Sequence, residues 1–389
     1  MNIPQGYKQT ELGIIPEDWE VVLLGSGLRF QTGYPFQSSY FNGDGMGVRL
    51  IRNRDLKSDD SITHYSGAIY NEFIVNNYDI LIGMDGDFMP CVWDKGVALL
   101  NQRVGRLVVK NDWSPRFLYY ALQEPLKQKE QGTSATTVKH LSHSDIERIL
   151  MSIPPSKEQR AIAEALSDVD GLIAALDKKI AKKRLLKQGT MQQLLTGKKR
   201  LPGFTDEWVE GNIKEYFEIT AGGDVDMSRF SSVKTSRCKY PIYSNSLDEK
   251  GLYGYTSLPN YSAGCVTITG RGTLGHAEYR DEAFDAIVRL IVMTPKGNNI
   301  CAQFIKELLN LVEPFIFEST GVPQLTAPQV GSTKIKVPQK IEEQQAIATI
   351  LSDMDKEITT LEAQRDKYRL LKSGMMQKLL TGQIRLKTE

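Results

Sequence analysis

The side chains that could carry catalysis form two short sets in the first 150 residues. Asp44, with Asp55 and Lys57, has the loose spacing of the carboxylate and lysine set of a metal-dependent nuclease, but the surrounding stretch is rich in polar residues. His140 and His143 stand close together without a third metal ligand, so we interpret them as surface or hydrogen-bonding residues. These patterns do not predict a metal centre.

The motifs of two classes of nucleic-acid enzyme are missing from the sequence. Residues 153–156, Ile-Pro-Pro-Ser, lack both the Asn or Asp and the aromatic residue of the N/D-P-P-Y/F loop with which a DNA methyltransferase holds a flipped base. Neither a Gly-rich cofactor loop nor a Walker A lysine loop occurs. The sequence therefore predicts no catalytic centre, no metal and no cofactor bound by this chain.

The elements that position the rest of the chain are two copies of one segment. When residues 158–197 are shifted by 185 positions they lie on residues 343–382, and 23 of the 40 aligned residues are identical. This is an internal repeat. Each copy is typical of one helix of roughly 40 residues, about 60 Å long at about 1.5 Å per residue. Ser156 with Gln159 predicts a capping box at the start of the first helix, and Gly197 predicts a left-handed cap at its end.

Apolar residues recur every three or four positions within each copy, which is the spacing of a heptad seam. We expect each helix to pair with the other copy, and the alternative is that each helix packs only on its own globular half. The predicted seams consist of Ile162, Leu166, Val169, Ile173, Leu176 and Ile180 in the first copy and of Ile347, Leu351, Met354, Ile358 and Leu361 in the second.

Outside the repeat, two regions share a plan of short β-like runs but little sequence. Strands are predicted at 48–51, 79–82, 91–93 and 104–109 in the first region and at 240–243, 265–269 and 286–292 in the second, with helices at 115–128 and 301–311. The predicted fold is α+β, with two mixed α/β domains separated by the two helices. Its ranges are 1–152 for domain 1, 153–200 for the first repeat helix, 201–336 for domain 2 and 337–389 for the second repeat helix.

The composition says more about the cellular compartment of the protein than about its binding partner. The sequence has 48 Lys and Arg against 47 Asp and Glu, so no overall basic excess indicates nucleic acid. Its four cysteines are far apart, which argues against a zinc site or a disulfide framework and fits a reducing cytoplasm. Because no signal pattern and no run of 18 apolar residues occurs, we expect a soluble cytoplasmic protein.

The two repeats and their surroundings resemble the specificity subunit of type I restriction-modification systems over essentially the whole chain. The resemblance rests on the Ile-Pro-Pro step at 153–155, the Glu-Gln pairs at 158–159 and 343–344, and the Leu-Leu-Thr-Gly endings at 194–197 and 379–382. It implies two target recognition domains, each of which reads half of a split sequence in double-stranded DNA. It also implies that the helices pair as an antiparallel coiled coil under a pseudo-twofold.

The same resemblance implies the partners. The helices would dock two methyltransferase subunits, and motor-nuclease subunits would join the full complex. S-adenosylmethionine, ATP and Mg²⁺ would then act only on those partner subunits. One departure is a basic run at 178–187 of the first helix, which the second copy has only in part. This run either contacts phosphates or is a solvated helix face.

Given that resemblance, DNA is expected to be read by polar and basic residues on loops, since Arg, Lys, Asn and Gln read base edges and Ser and Thr also bind phosphates. The candidates are Arg52, Asn53, Arg54, Asp85, Gln102, Arg103, Thr133, Ser134 and Lys139 in the first domain, and Tyr243, Ser244, Asn245, Tyr255, Thr269, Arg271, Thr273, Gln324 and Thr326 in the second. Individually, the residues around Asp85 and Arg271 could equally form plain turns.

Two other classes of function remain open. The chain could be an autonomous enzyme that modifies or cleaves DNA with a degenerate site, or a coiled-coil scaffold that joins proteins without binding DNA. The leading interpretation is a non-catalytic, sequence-specific DNA-binding subunit.

Overall fold

The computed structural model describes residues 3–132, 139–315 and 323–386, which fold into two compact units. Unit 1 comprises Met1–Ala175 and Gln364–Glu389, and unit 2 comprises Leu176–Ala363. The division falls inside both long helices, so each unit contains one globular domain and one segment of each helix. The four domain ranges predicted from the sequence follow the repeat rather than these contacts, and they stay a prediction.

The strands of unit 1 are β1 (Tyr7–Thr10), β2 (Gly13–Pro16), β3 (Glu20–Leu23), β4 (Leu28–Thr32), β5 (Phe41–Asn42), β6 (Val48–Ile51), β7 (Thr63–Tyr65), β8 (Ile74–Val75), β9 (Ile80–Gly83), β10 (Pro90–Val92), β11 (Ala98–Leu100), β12 (Val104–Val109) and β13 (Leu150–Ile153). They form a four-stranded antiparallel sheet in the order β10-β9-β12-β4 and a mixed five-stranded sheet in the order β5-β7-β6-β11-β8, in which β6 and β11 run parallel. Two further pairs, β1-β2 and β3-β13, are antiparallel.

Unit 2 repeats this plan. Its strands are β14 (Trp208–Asn212), β15 (Phe217–Ala221), β16 (Phe230–Ser231), β17 (Tyr240–Tyr243), β18 (Leu252–Thr256), β19 (Cys265–Ile268), β20 (Ala277–Arg280), β21 (Asp285–Ala286), β22 (Ile291–Pro295) and β23 (Lys334–Pro338). The four-stranded sheet has the order β15-β22-β19-β20, and the second sheet has the order β16-β18-β17-β21 with β17 and β21 parallel, while β14 pairs with β23. The two units therefore have the same strand topology although their sequences differ.

The central strands β9 and β19 show why these runs are so apolar. Alternate side chains of a strand point to opposite faces, so Ile80 and Ile82 enter the core with Trp19, whereas Leu81 enters a second core with Trp93. Both faces are covered, and all four residues of β9 are buried. In β19 the residues likewise divide between two cores.

The predicted strand at 286–292 is wrong as a continuous element. It is broken between β21 and β22 because Val288 and Arg289 have left-handed backbones, with φ of 55° and 60°. Their N–H groups donate to Gly223 O and Gly222 O at 2.9 and 3.0 Å, which holds the chain in this turn. A run of β-branched residues could not reveal a turn that is held by a distant segment.

The helices are α1 (Pro115–Ala121), α2 (Gln123–Gly132), α3 (His143–Glu147), α4 (Ser156–Leu194), α5 (Ile213–Tyr216), α6 (Ala302–Val312), α7 (Ala327–Ser332) and α8 (Ile341–Leu379). The helix expected at 115–128 is two helices with Leu122 between them, and Ser114 caps the first by accepting from Phe117 N at 3.3 Å. The helix expected at 301–311 is α6.

The two repeat copies form α4 and α8, and each is continuous for 39 residues. Gly197 and Gly382 follow them with φ of 70°, the left-handed conformation that glycine adopts most easily. The capping box predicted for Ser156 and Gln159 is wrong. Ser156 is already helical, and the buried amide of Gln159 accepts from Ser114 N and donates to Pro154 O, both at 2.8 Å.

The helices run antiparallel within each unit. In unit 2, Lys187 of α4 contacts Asp355 of α8 at 2.7 Å, and Lys183 contacts Glu357 at 2.7 Å. In unit 1, Lys372 of α8 contacts Asp170 of α4 at 2.7 Å. The mixed α/β fold with two paired long helices is confirmed, whereas the coiled-coil register and the pseudo-twofold stay predictions.

Nine of the eleven predicted seam residues divide among three cores. Ile162 and Leu166 lie in the domain core of unit 1 together with Leu379 of α8. Ile347, Leu351 and Met354 lie in or against the domain core of unit 2 together with Leu194 of α4. Leu176, Ile180, Ile358 and Leu361 form a core of their own in unit 2. Val169 is buried and Ile173 is half-buried. Each helix therefore packs both on its own domain and on the other helix.

Candidate nucleic-acid interface

In unit 1 the fold brings five predicted residues into one open cleft of about 950 Å³. Arg52, Asn53 and Arg54 follow β6, Asp85 follows β9, and Arg103 lies in the turn between β11 and β12. The cleft is formed by connections between strands, so these side chains share one surface although they are far apart in sequence. Guanidinium and amide groups in such a cleft match phosphates and base edges.

Buried Asp55 organises the first part of this cleft. Its Oδ2 accepts from Arg52 N at 2.8 Å and from Arg52 Nε at 3.3 Å, and Arg54 Nε lies 3.7 Å from its Oδ1. Asp55 is only 3% exposed, and its carboxylate holds both arginines. Arg54 keeps most of its side chain in solvent, where it can donate to a phosphate or a base.

Asp85 and Asp87, which also line the cleft, hold further basic side chains. The Asp85 carboxylate contacts Arg103 at 3.4 Å and His140 Nδ1 at 2.9 Å, and Asp87 contacts Lys57 Nζ at 2.5 Å. This hydrogen bond raises the pKa of Lys57. Burial opposes ionisation of Asp87, but Lys57 and the Met89 N–H lower its pKa overall. The cleft thus presents cations in positions set by carboxylates.

The remaining candidates of the first domain lie beside the cleft or outside the described residues. Gln102 is exposed in the same turn as Arg103. The Lys139 carbonyl accepts from Gly86 N at 3.0 Å, so this residue is adjacent to the loop after β9. Thr133 and Ser134 lie outside the described residues.

In unit 2 the equivalent connections carry the second set of candidates. Ser244 and Asn245 follow β17, and Thr269, Arg271 and Thr273 follow β19. Arg271 and Thr273 are exposed, whereas Thr269 is buried and its hydroxyl donates to the Thr273 carbonyl. Thr269 thus shapes the loop that presents Arg271.

The remaining candidates of unit 2 are distributed more widely. Gln324 is exposed, and Thr326 caps α7 together with Gln329. Tyr243 and Tyr255 were expected on loops, but they lie in β17 and β18, because both residues are part of the sheet pairing. DNA contact by any candidate stays a prediction.

Tyr243 has a buried cationic neighbour that sequence reasoning missed. The Arg280 guanidinium carbon lies 3.6 Å from the centre of the Tyr243 ring, and Arg280 donates to Thr267 Oγ1 and to Lys250 O, both at 2.9 Å. Burial raises the pKa of Tyr243 and lowers that of Arg280. Arg280 therefore fixes Tyr243 and the loop that contains Lys250.

Two exposed cations near the candidates were not among the residues predicted to bind DNA. Lys57 lines the cleft of unit 1, and Arg289 is exposed in the turn between β21 and β22, which corresponds to the turn of Arg103. The ion pair between Lys57 and Asp87 could not be predicted, because the two residues are far apart in sequence and no motif spacing connects them. Arg289 was hidden because its segment reads as a continuous strand.

The basic run of α4 pairs in part with acids of α8. Lys183, Arg184 and Lys187 contact Glu357, Glu362 and Asp355, respectively. These contacts use three of the cations to join helices. In the part of the chain that the structure describes, no group of three or more His, Cys, Asp or Glu side chains is arranged to hold a metal, and no helix is both long and apolar enough to cross a membrane.

The two globular regions match one family model. It is described as the type I restriction modification DNA specificity domain, and it matches residues 16–183 and 205–368, which is most of the chain. Each match contains one of the two sets of candidate loops.

Curated relatives agree with this match. The type I restriction enzyme EcoBI specificity subunit of Escherichia coli is 40% identical over 164 residues, which cover 42% of this chain and 34% of that subunit. This alignment therefore spans about a third of the relative's length. The type I restriction enzyme MjaVIII specificity subunit of Methanocaldococcus jannaschii is 27% identical over 428 residues, which cover 98% of this chain and 97% of that subunit.

Solved structures share the fold. A crystal structure of a type I restriction-modification S subunit from M. genitalium has a TM-score of 0.70 at 17% identity and covers 98% of both chains. A chain from a study of complex assembly and conformational transition in the type I R-M system has a TM-score of 0.54 at 15% identity, covering 95% of this chain and 99% of that one.

Proposed function

Because the chain belongs to the type I restriction modification DNA specificity family, we propose that it selects the DNA sequence on which such a system acts, with unit 1 reading one half of a split target and unit 2 the other. Members of this family are targeting subunits and not the catalytic ones. The observation that carries the proposal is the shared topology, which places polar loops at equivalent positions: those after β6 and β9 carry Arg52, Arg54 and Asp85 in unit 1, and those after β17 and β19 carry Ser244, Asn245 and Arg271 in unit 2.

The two candidate surfaces differ in the chemical groups that they expose, which supports the proposal that the two units read different DNA half-sequences. The loops of unit 1 carry Arg52, Arg54, Lys57 and Arg103, with carboxylates between them, whereas those of unit 2 carry Arg271 and Arg289 together with hydroxyl groups and the exposed amide of Gln324. Bidentate guanidinium contacts favour guanine, and amide contacts favour adenine. Unlike loops on a common scaffold would therefore give unlike half-sequences.

A domain exchange tests the division of labour. When residues 201–336 are replaced by the corresponding region of a relative, one half of the methylated motif should change, because the loops after β17 and β19 are exchanged and those of unit 1 are kept. The motif is measured by sequencing modified bases in cells that carry the chain and its methyltransferase. A change in both halves would contradict the assignment.

The purified chain separates the other two function classes. Turnover with DNA, Mg²⁺ and S-adenosylmethionine would indicate an autonomous enzyme, and a chain that binds none of the DNA sequences offered in competition would indicate a scaffold. We propose that neither occurs and that S-adenosylmethionine, ATP and Mg²⁺ are bound by the methyltransferase and motor-nuclease partners.

Duplicated apolar patches support docking of two copies of one partner. Leu185 and Leu186 are 69% and 54% exposed on α4, and the repeat-equivalent Leu370 and Leu371 are 76% and 51% exposed on α8. Exposed adjacent leucines on a charged helix favour a protein interface. Because both patches have the same residues, we propose that each binds one methyltransferase subunit.

Charge placed in one patch should remove one methyltransferase. Changing Leu185 and Leu186 to Asp should lower affinity at that patch by more than tenfold, since each leucine that becomes fully buried contributes about 1.5–3 kcal/mol. The bound stoichiometry, measured by native mass spectrometry, should fall from two to one, and to zero when both patches are changed. Leu258→Asp, at a residue that is 52% exposed elsewhere, is the control. Two bound subunits on the doubly changed chain would refute this docking site.

A further inference from the structure

Two asparagines occupy the same place in the two units. Asn53 is the second residue after β6, and Asn245 is the second residue after β17, the strand that corresponds to β6 in the shared topology. Few other residues in these loops are the same. An identical residue at equivalent positions of otherwise unlike loops indicates a shared task.

Asn245 joins three connections in unit 2. Its Nδ2 donates to Val288 O at 2.7 Å, in the turn between β21 and β22, and its Oδ1 accepts from Gly270 N at 2.7 Å, in the loop after β19. Gly270 O in turn accepts from Leu325 N at 3.0 Å, next to Gln324. One amide thereby links the segments that present Arg271, Arg289 and Gln324.

Asn53 makes one such link in unit 1, through its Nδ2 alone, and its Oδ1 is buried without a hydrogen-bond partner among the described residues. Its Nδ2 donates to Asp85 O at 2.5 Å, in the loop after β9. The Asp85 carboxylate extends the link to Arg103 and His140. Gly83 makes the approach possible, because a Cβ at that position would lie 2.1 Å from Asn53 Oδ1.

These bonds compete with direct base reading. An asparagine that recognises adenine uses both its amide nitrogen and its oxygen. In Asn245 each of these atoms already holds a backbone group of the protein, and releasing them would leave Gly270 N and Val288 O unpaired. A side chain engaged in this way acts through the loops that it holds.

We propose that Asn53 and Asn245 are positioning residues for sequence recognition, each of which fixes the mutual arrangement of the reading loops in its own unit. This proposal rests on the proposed function as a DNA-reading subunit. Without the hydrogen bonds of this asparagine, the loops become free to move relative to one another. The cations that the loops carry then no longer contact several base pairs at once. Recognition in the half-target of that unit is then lost at several positions.

The test uses the full chain with its methyltransferase. In Asn245→Ala, the half of the motif read by unit 2 should lose discrimination at two or more positions, by roughly tenfold or more, given that a mismatched base pair costs about 1–3 kcal/mol. The half read by unit 1 and the salt-sensitive binding to unrelated DNA should be unchanged. Asn53→Ala should give the opposite pattern. The motif is read by sequencing modified bases, and affinity by competition with unrelated duplexes.

Two matched controls separate positioning from general damage. Asn310 exchanges two bonds with the backbone of Ala277, both 2.8 Å long, and Asn42 does the same with Met46, at 2.9 and 3.1 Å. Asn310→Ala and Asn42→Ala remove comparable hydrogen bonds but leave those of Asn53 and Asn245 in place. The methylated motif should therefore be unchanged in both variants, even where the melting temperature falls.

Each contrary outcome has one meaning. Equal loss in both halves, an unchanged motif, or the same relaxation in Asn310→Ala would overturn the positioning role. Asn245→Asp tests direct reading, since a changed preference at one base position alone would show that residue 245 touches that base and would also overturn the proposal. If the unaltered chain shows no split motif, it is the proposed function that fails, and the positioning role fails with it.

Discussion

Leu166→Asp is expected to unfold unit 1. Leu166 has no exposed surface and packs in the core that contains Trp19, Phe117 and Leu379. Removing a fully buried leucine costs about 1.5–3 kcal/mol in burial, and an unpaired carboxylate in an apolar core adds several more. The total approaches the stability of about 5–15 kcal/mol that is typical of a whole domain. The loss should reach the domain itself, because Leu166 joins α4 to the globular core.

Hydrogen exchange measured by mass spectrometry locates the damage. Protection should be lost throughout unit 1, including β9 and β12, which lie far from residue 166 in sequence. Leu172→Asp is the matched control, since Leu172 is 48% exposed on the same helix in the same unit. If Leu166→Asp and Leu172→Asp kept equal protection, the helix would not be part of the domain core.

The second large effect is expected where each repeat helix begins. Glu158, at the start of α4, accepts from Arg385 Nε and Nη2 at 2.7 Å and from Trp19 Nε1 at 3.0 Å, and its side chain is 4% exposed. The repeat places the same pair in unit 2, where Glu343 accepts from Arg200 Nε and Nη2 at 2.7 Å. Hydrogen bonds to Glu158 and to Asp18 raise the pKa of Arg385.

Removing one partner should be worse than removing both. Arg385→Met leaves a buried carboxylate without its cation and should cost about 3–5 kcal/mol, whereas combining it with Glu158→Met should recover part of that loss, because apolar residues can replace a buried pair. The same comparison applies to Arg200 and Glu343. Urea unfolding measures the four variants of each cycle, and a double variant less stable than both single variants would contradict this account. Lys356→Met, at an exposed ion pair, should change stability by less than about 1 kcal/mol.

The fold was predicted best where the pattern was local and repeated. The 39-residue helices, their glycine ends and most strands of the central sheets follow from apolar periodicity and from the repeat itself. The helix-start prediction failed because the amide of Gln159 bonds to Ser114, which is 45 residues away. The strand at 286–292 failed because Gly222 and Gly223 hold its middle in a turn. Both errors come from contacts that no local window of sequence contains.

By itself, the sequence determined that the chain has two halves of one plan, two long helices with apolar seams, and no enzyme motif. These properties depend on residue type and spacing along the chain, which periodicity and self-comparison read directly. Only the tertiary structure decided which of the predicted DNA-binding residues lie close to one another. It placed Arg52 and Arg103 in one cleft and bonded the side chains of Asn53 and Asn245 to backbone groups. It also divided the apolar seam residues of the two helices between the domain cores and a core formed by the helices alone. The physical reason is that a polar side chain can be satisfied by solvent, by DNA or by a distant backbone group, and only the folded arrangement of the loops decides which of these partners is within hydrogen-bonding distance.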